Sequence, residues 1–172
     1  MGVAPMAARE REIVEMVFSR LGAAPRVEIL AGHHRERLPV ISFYIPGMHY
    51  NLVVRLLNDR FGIQARGGCS CAGTYGHYLL NVDAADSRRI TSQIDSGDLT
   101  DKPGWVRVSF HPAMSDAEVG AVCDAIVDVA THGETWAADY RHLPRLNDYE
   151  HLGGAAEIAP LVAGWFAVGV EA

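Results

Sequence analysis

The sequence predicts a small α/β domain, a few-stranded sheet covered on one face by helices. Three observations carry this prediction. Apolar residues recur at helical spacing in the stretches 8–22, 48–61 and 115–130. Short β-branched and aromatic runs lie between them, at 39–45 and 105–110. The elements alternate as αββαβααβα, with strands too short and too few for a large doubly wound domain, so the chain reads as a lobe.

Each element has its own signal. In the first helix, 8–22, Ile13, Val14, Val17, Phe18 and Leu21 share a face, Arg9, Glu10, Arg11 and Glu15 lie opposite, and Gly22 and Pro25 stop it. Residues 26–30 (RVEIL) form a short strand candidate, followed by a polar connection at 32–37 that carries the doublet His33 and His34. The run 39–45 (PVISFYI) is the second strand, turned by Pro46 and Gly47. Leu52, Val53, Leu56, Leu57 and Phe61 line one side of a helix at 48–61, which Gly62 ends. Residues 63–66 (IQAR) read as a third strand, 75–82 and 85–94 as short helices, 96–104 as a loop and 105–110 (WVRVSF) as a strand with alternating faces. The helix 115–130 opens with Ser115 and Glu118 at capping-box spacing. From Gly133 onward the pattern weakens, which divides the chain into a domain at 1–135 and a tail at 136–172. The apolar run Ile158 to Val170 reads as a tail helix packing on its own domain or on a partner, because a bilayer span needs about 20 apolar residues.

Composition narrows the function. With 172 residues, 49% hydrophobic and 21% charged, the chain can bury a core without staples. A net charge of −6 argues against a nucleic-acid partner, which calls for a basic face. The first residues show no apolar signal region, and three cysteines in such a chain read as reduced thiols, so the expected setting is cytoplasmic, with no membrane partner.

Chemistry concentrates in the segment Arg66–His77, RGGCSCAGTYGH. Gly67, Gly68 and Gly73 allow backbone conformations closed to other residues, so the thiols of Cys69 and Cys71 are expected to be accessible, with Arg66 near enough in sequence to favour a thiolate. An ordinary turn with incidental cysteines is the plain alternative. A metal held by Cys69, Cys71 and His77 is disfavoured, because C-x-C is shorter than the usual knuckle and no second cluster follows. Cys123 sits on an apolar helix face and reads as a small hydrophobe. Arg107 falls in the middle of an apolar strand, where it either points to solvent or binds an anion, and its paired donors suit a carboxylate.

Taken in order, the strand VISFYI, the helix ending LLNDRFGI, the loop QARGGCSCAG, the strand WVRVSF and the capped helix SDAEVGAVCDAI resemble the C-terminal small domain of class V aminotransferase-fold enzymes. This group depends on pyridoxal phosphate (PLP), has the type I fold and includes cysteine desulfurases and selenocysteine lyases. The resemblance covers about residues 8–132. It implies that Cys71, five residues after Arg66 and followed by Ala72, is the catalytic cysteine that takes sulfur from a PLP-bound substrate as a persulfide. Cys69 stands where the family often has histidine, and the family also holds aminotransferase-like members without desulfurase activity. By the same resemblance Arg107 binds the α-carboxylate of a small amino-acid substrate, and Arg66 supports it at the entrance to the site.

The resemblance also implies a missing half. In the family, the PLP lysine follows a histidine in a large domain, which also supplies an aspartate for the pyridine nitrogen and a histidine that stacks on the ring. The one lysine of this chain, Lys102, lies between Asp101 and Pro103 in a loop and is not expected to serve. PLP is therefore implied by the family yet not expected to bind this chain alone. The expected partner is a large PLP-binding domain, on another chain or lost by truncation, and an oligomer is possible on the same reading. The alternatives are a thiol or partner-binding module without catalysis, and an inactive remnant.

Overall fold

The computed structural model describes residues 2–69 and 73–154. Helix α1 (Val3–Leu21) is followed by strands β1 (Glu28–Ile29) and β2 (Val40–Tyr44), helix α2 (Tyr50–Phe61) and strand β3 (Arg66–Gly68). Helices α3 (Gly73–Leu79) and α4 (Ala84–Asp95), strand β4 (Trp105–Ser109) and helix α5 (Asp116–Trp136) come next. A single 3-10 turn (Ala137–Asp139) then leads into a hairpin of β5 (Tyr140–Leu143) and β6 (Asp148–His151). The fold class is the expected one. Four strands pair antiparallel in the order β1-β2-β4-β3, and β5-β6 form a separate two-stranded sheet.

The register of the four-stranded sheet decides what faces where. Ile41 pairs with Val108 and Phe43 with Val106, and all four are buried. They meet the apolar faces of α1, α2 and α5, including Val17, Leu56 and Ile126, in one core. Because side chains alternate along a strand, Ser42, Arg107 and Arg66 fall together on the opposite face, in one row across β2, β4 and β3.

Two helix ends follow the chemistry read from the sequence, and a third cap was not foreseen. Ser115 caps α5: its hydroxyl accepts the Glu118 amide at 3.3 Å, and the Glu118 carboxylate accepts the Ser115 amide at 2.7 Å. Gly62 ends α2 with a left-handed φ of 66°, and its N–H donates to the Asn58 carbonyl at 2.9 Å. Asp83 caps α4 by accepting the Ala85 and Asp86 amides. Three of the boundaries that differ from expectation have a readable cause. Helix α1 starts at Val3, five residues early, since Ala4, Met6, Ala7 and Ala8 are good helix formers and Pro5 is tolerated in the first turn. Helix α5 runs on to Trp136 because Gly133, which weakened the pattern, is where the Met48 side chain packs against the helix, and a Cβ there would fall 2.5 Å from its methyl group. The third strand is Arg66–Gly68 and not 63–66, for a reason that belongs to the site below.

The hairpin has no counterpart among the elements expected from the sequence. Helix α2 holds it: the Tyr140 hydroxyl donates to Asp59 at 2.9 Å, and Arg55 pairs with Asp148 at 2.8 Å. Asn147 turns the chain with φ 52°, a left-handed conformation that asparagine tolerates. The apolar run Ile158 to Val170 lies outside the described residues.

Cys123 is 0% exposed in the core, as its helix face implied. Burial pushes its thiol up to about 11. Thiolate is the alkylated form, so iodoacetamide at pH 8 is expected to label Cys123 at least roughly a hundredfold more slowly in the folded chain than in urea, as peptide mass mapping will show. Equal rates in both states would mean that α5 is not packed as described.

Candidate functional site

The site is built where β3 joins the cysteine loop. Gly67 faces α2, and a Cβ there would press on the Asn51 side chain and on the Tyr50 ring, 2.9 Å away. Gly104, just before β4, is closer still: a Cβ would lie 2.5 Å from one Tyr50 ring carbon and 2.8 Å from two others. Tyr50 is thus a wedge between the chain entering the cysteine loop and the chain entering β4. The Asn147 side-chain amide donates to its hydroxyl at 2.6 Å, and the Asn147 carbonyl accepts from the Asn51 side chain. Burial raises the phenol of Tyr50, so it stays protonated and in place. Strand propensity disfavours Gly-Gly, which is why the sequence pointed to 63–66; the close approach to α2 demands glycine and moves the strand onto Arg66–Gly68.

Arg66 and Arg107 are direct cross-strand partners on the sheet face away from the core, Arg66 exposed and Arg107 half-buried. None of the ion pairs formed among the described residues uses either of them. Like charges placed opposite each other destabilise a sheet. Two guanidinium groups side by side without a carboxylate are suited to hold an anion.

Cys69 is half-buried at the start of the loop and shares a cavity of about 150 Å³ with His77 and Lys102, walled by Leu80, Ile90, Ile94 and Pro103. Cys71 lies outside the described residues. Among the described residues no group of three histidine, cysteine or acidic side chains is arranged to hold a metal. His33 and His34 are exposed or nearly so, with ring centroids 4.1 Å apart.

Pyridoxal phosphate needs a lysine with a phosphate cradle and an acid for the ring nitrogen. The cavity at Lys102 has about 150 Å³, against about 300–1,000 Å³ for ordinary ligand sites, and among the described residues no arginine or acid lines it. The residues around Lys102 do not fit the cofactor.

Sequence reasoning missed Tyr50, Ser42 and Trp105. Tyr50 looks like one more apolar helix residue. Ser42 and Trp105 are legible in principle, since strict alternation along β2 and β4 puts them on the face of Arg107.

The sequence model of the family described as aminotransferase class-V matches residues 1–122. No curated protein matches the chain. Among solved structures, the cysteine desulfurase CsdA of Escherichia coli, in an S-sulfonic acid form, aligns at 21% identity and a TM-score of 0.48. The alignment covers 74% of this chain and 25% of that enzyme, so the chain spans about a quarter of its length. Among the described residues no helix is long and apolar enough to cross a membrane.

Proposed function

Because this chain belongs to the class-V aminotransferase family, we propose that it works as the small lobe of a PLP-dependent enzyme and presents Arg107 to the α-carboxylate of a small amino-acid substrate. The observation that carries this reading is the row of Arg107 and Arg66 on the sheet face opposite the core, with no acidic partner among the described residues. Arg107 binds through two parallel N–H donors, which fixes the orientation of the substrate as well as its position. Arg66, one strand further out and more exposed, adds positive charge and guides the anion in. Cys71, five residues on from Arg66, is the working thiol of the loop. Tyr50 is a positioning residue that packs against the chain entering the cysteine loop and the chain entering β4.

The cofactor supplies an electron sink when bound, and the lysine that holds it comes from a large domain outside these 172 residues. Lys102, walled by aliphatic side chains, takes no part. The test is the visible spectrum of the purified chain with stoichiometric PLP, followed by borohydride reduction and peptide mapping. We expect no aldimine band and no reduced adduct at Lys102. A stoichiometric adduct on Lys102 would overturn the division of labour between the two lobes.

A further inference from the structure

Beside Arg107, on the same sheet face, lies an open cavity of about 520 Å³, within the size range of small-molecule sites. Trp105 and Ser42 both line it. Ser42 is the cross-strand partner of Arg107, and Trp105 precedes Arg107 by two positions on β4. Two residues along a strand span about 7 Å, so a ligand whose carboxylate sits on Arg107 reaches the cavity with the next few atoms. The remaining wall is largely apolar: Leu30, Leu38, Val40 and Tyr75 face the same space.

We propose that this cavity receives the side chain of the substrate, and that the substrate is an amino or 2-oxo acid with a bulky apolar or aromatic side chain. The proposal rests on Arg107 holding the carboxylate. Two features favour it. The wall is preformed, because the Leu30 amide donates to the Ser42 carbonyl at 2.8 Å and the loop after it is tied down by Arg37. Among the described residues Arg37 is the one arginine or lysine that lines the cavity, and it spends its guanidinium on the carbonyls of His34, at 2.7 Å, Ala31 and Leu30. Three of its five N–H donors are therefore engaged, and His34 is the other basic side chain on the wall, so most of the surface offered to a ligand side chain is apolar. Leu38 and Tyr75, 64% and 57% exposed, are apolar surface that such a ligand would cover.

The test uses the 172-residue chain and three stable carboxylates, propionate, 3-phenylpropionate and glutarate, followed by nuclear magnetic resonance titration. We expect 3-phenylpropionate to bind at least about tenfold more tightly than propionate and to shift the Trp105 indole signal. Replacing the exposed pair Leu38→Ser and Tyr75→Ser should reduce that preference by about threefold or more while propionate binding stays unchanged. Arg107→Gln should weaken all three acids. Equal affinity for propionate and 3-phenylpropionate, with the Arg107 dependence intact, would overturn the apolar cavity and leave the carboxylate role standing. Tightest binding of glutarate would overturn it in favour of an acidic substrate. Binding that ignores Arg107→Gln would overturn the carboxylate role itself, and the proposal with it.

Discussion

Arg107→Gln is expected to raise the melting temperature of the chain while it weakens carboxylate binding. The two effects have one cause. Arg107 stands directly opposite Arg66 with no acidic partner among the described residues, and like charges in that relation cost a few tenths to about 1 kcal/mol. Removing one of them returns that energy, which for a chain of this length is a rise of about 1–3 °C. The same change removes a charge-assisted pair of hydrogen bonds to the ligand, about 1.5–3 kcal/mol, or roughly 10- to 100-fold in affinity. Arg107→Lys keeps the charge but loses the forked geometry, so it should recover little of the affinity and none of the stability gain. Differential scanning calorimetry and a propionate titration read the two quantities separately. A fall in melting temperature on Arg107→Gln would mean that the arginine holds the structure together and is not reserved for a ligand.

Gly104→Ala is expected to be the more damaging change to the fold. The added methyl would overlap three carbons of the Tyr50 ring at 2.5–2.8 Å. The ring has little freedom to move: Tyr50 is buried, its hydroxyl is tied to Asn147, and Gly67 closes on it from the other side. Overpacking of this kind costs about 1–3 kcal/mol, which corresponds to about 3–10 °C in the thermal midpoint. In a Tyr50→Leu background the same Gly104→Ala change should cost less than half as much, because the clash is with the ring. A midpoint within about 1 °C of the parent, well below that range, would show that the wedge between the cysteine loop and β4 yields easily, and that Tyr50 does not position the loop.

These two cases mark where local sequence is sufficient and where it is not. Local physics carries far along this chain. The helical faces of α1, α2 and α5, the Ser115–Glu118 capping box and the Gly62 stop depend on residues within a few positions of one another, and each is legible in the sequence alone. The order of motifs through Arg66, the cysteine loop and Arg107 is enough to indicate the family that the sequence model matches. The hairpin at 140–151 is not legible in this way, because what holds it is a set of contacts to α2, from Asp59, Arg55 and Tyr50, 81 to 97 positions away in the chain.

By itself the sequence determined the α/β class, the Ser115 cap, the Gly62 stop and the choice of Arg107 as an anion-binding candidate, since periodicity, capping and residue chemistry are local. The tertiary structure alone decided that Arg107 and Arg66 are cross-strand neighbours, that Gly67 and Gly104 close on Tyr50, and that Ser42 and Trp105, beside Arg107, line a largely apolar cavity. Strand register and helix approach are set by burying one face of the sheet against three helices at once, and no local stretch of the chain contains that information.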